Sequence, residues 1–82
     1  MTSEEYKGIV TRFYKALVYL TQSQQIRGVK TFCDRYDIHR RTMRRVLEQC
    51  TPELRPSWLT YLVRDYGINA QWLLTGEGPM HG

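Results

Sequence analysis

Apolar residues recur along the first quarter of the chain with a helical period. Tyr6, Ile9, Val10, Phe13, Tyr14, Leu17 and Val18 stand at offsets 0, 3, 4, 7, 8, 11 and 12. That spacing is one face of a helix with about 3.6 residues per turn. It predicts a helix over residues 4–22, opened by a capping box from Thr2 to Glu5. Gly8 falls inside it, at a cost of about 1 kcal/mol against alanine. The polar stretch 21–28 ends it. A second helix is expected over 29–36 and a third over 40–49, joined by a tight turn at Asp37, Ile38 and His39. Pro52 breaks the chain again, whereas Pro56 suits the first turn of a further helix. That fourth helix carries Trp58, Leu59, Leu62, Val63 and Tyr66 and stops at Gly67. A fifth runs from an Asn69 cap through Trp72, Leu73 and Leu74 to Gly76. Alternating runs and hairpin dipeptides are absent, so the chain reads as all-α with five helices. The expected core is Phe13, Leu17, Phe32, Ile38, Met43, Val46, Leu59, Leu62, Trp72 and Leu73, with Trp58 also inside. Tyr19 and Tyr61 lie off the apolar faces and are expected at the surface, as ordinary side chains or as a self-association patch.

Length and chemistry narrow the function. A chain of 82 residues is one domain, 1–82. No run of about 18 apolar residues occurs, so no membrane span is expected. The acidic start, Met-Thr-Ser-Glu-Glu, opens no signal peptide. Cys33 and Cys50 build no disulfide framework, and with His39 and His81 they show no zinc-ligand spacing. Both cysteines are expected to face the core, and a reducing, cytoplasmic location fits best. The carboxylates are scattered, and no serine or cysteine has a base partner. Gly76-Glu77-Gly78-Pro79 follows a helix and lacks the Lys-Ser/Thr ending of a phosphate loop. No enzyme, cofactor, metal or small-molecule ligand is therefore expected. The net charge is +4, and five arginines against the single Asp37 place the same +4 between Arg35 and Arg45. Arginine is the side chain best matched to phosphate and to guanine.

Two segments carry a family resemblance. Thr31-Phe32-Cys33-Asp34-Arg35-Tyr36-Asp37-Ile38-His39-Arg40-Arg41-Thr42-Met43 resembles the helix-turn-helix of phage-repressor-like transcriptional regulators. The closing stretch, Tyr66-Gly67-Ile68-Asn69-Ala70-Gln71-Trp72-Leu73-Leu74-Thr75-Gly76, is similar to the Trp-Leu-Leu-Thr-Gly end of that family's DNA-binding domain. The resemblance covers about residues 26–80. It implies a five-helix lambda-repressor-like fold with a helix-turn-helix at about 29–48. In the family's register the buried places are Phe32, Cys33, Tyr36, Ile38, Met43 and Val46, all apolar or aromatic. The outward places are His39, Arg40, Arg41, Arg44, Arg45 and Glu48, all polar. The chain departs from the family at Val29, Cys33 and Asp37, where Gln, Ala and Gly are usual. It departs again at Leu47-Glu48-Gln49, where Glu-Asn-Gly often closes the recognition helix.

The function this implies is sequence-specific binding of double-stranded DNA by a transcriptional regulator, a repressor by analogy. Arg40 and Arg41 would enter the major groove. Thr42 and Arg44 would meet base or phosphate, Arg45 and Arg35 would hold the backbone, and His39 completes the contact set. One recognition helix reads few base pairs, so a homodimer on DNA is expected, its contacts coming from Tyr61, the C-terminal segment or the outer face of the first helix. The alternative is a protein-interaction module on the same fold, whose basic helix meets an acidic partner.

Overall fold

The computed structural model describes residues 3–81. It is all-helical, with α1 at Ser3–Gln22, α2 at Val29–Arg35, α3 at Arg40–Gln49, α4 at Pro56–Tyr66 and α5 at Ala70–Thr75. The described residues form no strand; a lone antiparallel bridge joins Ile68 to His81. The radius of gyration is 11.8 Å, that of a fully collapsed chain of this length. Thr2 and its capping box lie outside the described residues.

Local chemistry sets the helix limits. Pro56 opens α4, where its missing N–H costs nothing. The Asn69 side chain caps α5 by accepting from the Gln71 N–H at 2.9 Å. Left-handed residues close the helices: Gln24 with φ 65°, Asp37 with φ 54° and Cys50 with φ 51°, then Gly67 and Gly76. After α1, Gln24 N–H donates to Thr21 O at 3.2 Å and Gln25 N–H to Leu20 O at 2.9 Å. That pair of bonds is the Schellman pattern, built here on glutamine instead of glycine. After α2, Ile38 N–H donates to Cys33 O at 2.8 Å across Asp37, so the turn into α3 forms at aspartate.

The core runs through all five helices. Phe13, Leu17, Phe32, Met43, Val46, Leu62 and Leu73 are fully buried. Ile38, Leu59 and Trp72, expected among them, are only partly buried against that cluster. Phe13 packs edge-on to Phe32, with centroids 6.0 Å apart, and stacks on Trp58 at 6.1 Å. Cys33 is buried, whereas Cys50 is half-buried at the end of α3; both are free thiols.

The face of α1 differs from its expected stripe. Ile9, Val10, Phe13, Ala16, Leu17 and Leu20 are buried, but Tyr14 is 49% exposed and Val18 36%. α1 packs against α3 and α5, and the neighbours bury its Ala16–Leu20 side while leaving the Tyr14–Val18 edge uncovered. Ile26 and Ile68, in segments that read as connectors, are also buried. Tyr19 and Tyr61 are half-buried, not free at the surface. Tyr61 lies flat on Tyr36 at 4.1 Å, and Tyr19 stacks on His81 at 4.8 Å. That second stack, with Asn69 N–H donating to Met80 O at 2.7 Å, brings the C-terminal segment back onto α1.

Gly8 has a structural reason. The Arg12 side chain donates from Nε to Leu73 O at 2.8 Å and from Nη2 to Leu74 O at 2.9 Å, in the last turn of α5. A Cβ at Gly8 would stand 3.2 Å from Arg12 Nη1. The helix gives up propensity at Gly8 so that a guanidinium can cap a helix C-terminus, where cations are favoured. Arg12→Leu should lower stability by about 1.5–3 kcal/mol, the range for hydrogen bonds to a charged group. Met43→Ala should cost about 2–5 kcal/mol as a core cavity. Urea unfolding followed by circular dichroism measures both. A wild-type midpoint for Arg12→Leu would mean that the α1–α5 clasp carries no stability.

Candidate nucleic-acid interface

α3 has two unlike sides because its sequence alternates apolar and cationic residues at helical spacing. Met43 and Val46 are fully buried. On the same inner surface Phe32 and Cys33 of α2 are buried, and Tyr36 and Ile38 are partly so. His39, Arg40, Arg41, Arg44 and Glu48 are exposed; Thr42 and Arg45 are half-buried. Four of the six inward places of the sequence frame are thus buried and five of the six outward ones exposed, while Tyr36, Ile38 and Arg45 are intermediate.

The cations on the outer side differ in what already holds them. His39, the N-cap residue of α3, makes no side-chain cap bond. The side chains of His39, Arg40, Arg41 and Thr42 have no hydrogen bond or ion pair among the described residues. Burial, and then Asp34, push the Cys33 thiol up against the opposing charge of Arg40. Arg44 pairs with Glu48 one turn on, at 3.3 Å. Arg45 makes two bonds to Glu53, at 3.0 and 2.7 Å. Arg35 stands apart from α3. Its Nη1 donates to the Tyr66 hydroxyl at 3.2 Å, and its guanidinium lies 5.9 Å from the Tyr36 ring centre and 5.7 Å from that of Tyr66.

The exposed N-terminus of α3 adds partial positive charge. The first amides of a helix lack intrahelical acceptors, and its dipole favours an anion there. A cleft of about 260 Å³ opens beside it, lined by Asp37, His39, Thr42, Arg55, Ser57 and Trp58 among others. Arg55, the N-cap of α4, therefore stands near α3 and extends its basic surface. Residue spacing gives no sign of this, because Arg55 is ten positions beyond Arg45. Glu53 and its grip on Arg45 were hidden for the same reason: the reversal at Pro52 brings them together.

Behind the turn, Arg64, Tyr61, Tyr36 and Arg35 form a layered stack of cations and rings between α2 and α4. The Tyr36 hydroxyl donates to Asp65 Oδ2 at 2.6 Å, and Arg64 forks onto the same carboxylate at 2.9 and 3.0 Å. Arg64 first, then Tyr36, hold the Asp65 carboxyl well below the usual range. Desolvation and the Asp65 bond push the Tyr36 phenol up. Arg45 and Thr51 likewise lower Glu53.

An apolar groove of about 370 Å³ between α4 and α5 is lined by Leu59, Val63, Leu73 and Leu74. No cluster of metal-ligating side chains occurs among the described residues, and none of their helices is long and apolar enough to cross a membrane. Comparison with known proteins finds no matching family model, no matching curated protein and no matching solved structure.

The pairs make stability depend on acid. Asp65 and Glu53 have folded-state pKa values below their unfolded values. Their contribution is present above the unfolded carboxyl range of about 4 and is lost as pH falls below it. Thermal midpoints should therefore drop between neutral pH and about pH 3. The drop should be smaller for Asp65→Asn than for the wild type, and equal drops would show that the Asp65 cluster is not coupled to folding.

Proposed function

We propose that this chain is a lambda-repressor-like DNA-binding domain of a transcriptional regulator, reading the major groove of double-stranded DNA with α3. The observation that carries the reading is the division of α3. Met43 and Val46 are wholly buried, while His39, Arg40, Arg41 and Arg44 are exposed on the other side. The ten residues of α3 make a rod about 15 Å long, and the major groove, about 12 Å wide, admits it. Arg40 and Arg41 project from the end that already attracts phosphate. Either guanidinium can meet guanine O6 and N7 with two parallel hydrogen bonds. Thr42 and Arg44 follow on the next positions, for base or phosphate. Arg35 serves the backbone in this reading only by leaving Tyr66, and Arg45 stays paired with Glu53. The reading also expects a homodimer on DNA, with two α3 helices about 34 Å apart on a near-palindrome.

The test is fluorescence anisotropy of a labelled duplex chosen from a random pool. Arg40→Ala and Arg41→Ala together leave both ion pairs of α3 intact, so the fold should survive, which circular dichroism checks. Each arginine that reads guanine should cost about 1–3 kcal/mol, with preference relaxed at one base pair. Each arginine that instead neutralises a phosphate should, on replacement, lower the log-affinity against log-salt slope by about 0.9. Unchanged affinity in a folded double variant would turn the reading toward a protein partner for the basic helix. Sedimentation at saturating protein should give two chains per selected duplex; one chain per site would refute the dimer.

A further inference from the structure

The C-terminal half of α3 carries a charge arrangement that base reading does not use. Arg45 donates from Nε to Glu53 Oε1 at 3.0 Å and from Nη2 to Oε2 at 2.7 Å. This fork-to-fork geometry is the one a guanidinium offers to phosphate. The Thr51 hydroxyl adds a third donor to Oε1, at 3.0 Å. α1 fixes the loop that carries the carboxylate. The Tyr6 hydroxyl donates to Thr51 O and accepts from Leu54 N–H at 3.3 Å. Glu53 is thus oriented by three hydrogen bonds on a tethered loop. Arg44 has a looser partner: a single contact at 3.3 Å joins it to Glu48, with side chains 77% and 59% exposed. Pairs of that kind contribute little and open readily.

We infer that Glu53 sets the electrostatic share of DNA binding, its carboxylate standing in for a phosphate and withholding Arg45 from the DNA backbone. The inference rests on the DNA-binding reading and adds a residue outside the basic set. Sequence-independent affinity for duplex comes from cations that neutralise phosphates and release counterions. A guanidinium already bound to a carboxylate through two bonds exchanges one anion for another, at little gain. Moving it to the backbone would also leave the Glu53 charge unpaired beside the phosphates. Arg40, Arg41 and Arg44 therefore supply the phosphate attraction of α3, and Arg45 does not. Affinity for random sequence is held down without removing any group that faces the groove.

The experiment titrates a labelled duplex of random sequence with the whole chain over a series of salt concentrations. It compares the wild type, Glu53→Gln, and the double variant Arg45→Gln/Glu53→Gln. Glu53→Gln should bind severalfold tighter, with a salt slope steeper by about 0.9, because it frees one phosphate-binding cation. The double variant removes two charges that cancel, so its affinity and slope should match those of the wild type. If the single glutamine loosens the loop, seen by circular dichroism, the double variant still decides with a neutral amide pair across the same gap. An unchanged slope or weaker binding in a folded Glu53→Gln overturns the inference. So does a double variant that loses affinity, since Arg45 then reaches phosphate while Glu53 holds it. In those cases the DNA-binding reading stands. A wild type that binds no duplex, or whose binding ignores replacement of Arg40 and Arg41, overturns that reading and the inference with it.

Discussion

Phe13 lies where α1, α2 and α4 converge, its ring edge-on to Phe32 and stacked on Trp58. α3 rests on the same cluster through Met43 and Val46. The burial of this cluster holds α3 in one orientation, since α3 by itself is too short to be stable in water. Among the described residues the core contains no buried polar or charged side chain. Every ionised group of the described chain is therefore settled at the surface, where it meets solvent, a neighbour or a ligand.

Those settlements polarise α3. Towards its C-terminal end, carboxylates from the helix and from the following loop answer Arg44 and Arg45. At its N-terminal end His39, Arg40 and Arg41 are unanswered, beside backbone amides that are themselves short of acceptors. Arginines elsewhere do structural work. Arg12 closes α5, and Arg35 and Arg64 sandwich two tyrosines between α2 and α4. One side-chain type thus clasps helices, stacks on rings and faces outward, and only the third role leaves charge for another molecule.

Much of this was legible in the sequence. Proline, glycine and asparagine punctuate the chain strongly enough to place α4 and α5, and Asp37 takes the left-handed turn between α2 and α3. The register implied by the family resemblance separates Met43 and Val46 from the arginines, and both are fully buried. The stripe of α1 was misplaced at Tyr14 and Val18 because a period marks an apolar side but not which part a neighbour covers. Ile26 and Ile68 were missed because a single apolar residue in a polar connector has no period. The partners of Arg12, Arg35 and Arg45 were out of reach, since each pair spans a chain reversal whose geometry only the packed helices fix. The lambda-repressor-like architecture and the binding of DNA remain a proposal, supported by how α3 divides.

Three helix ends turn on residues other than glycine, at Gln24, Asp37 and Cys50. A left-handed conformation costs such residues about 1–2 kcal/mol, least for aspartate. Domains of this size are stable by only about 5–15 kcal/mol in all. Glycine at position 24, where the glutamine is exposed, would relieve that cost without touching the outward side of α3. The chain thus holds an unused allowance for change. Substitutions on α3 that alter its contacts but weaken the fold could be offset at a distant helix end, which leaves the outer side of α3 free to diverge while the framework is kept.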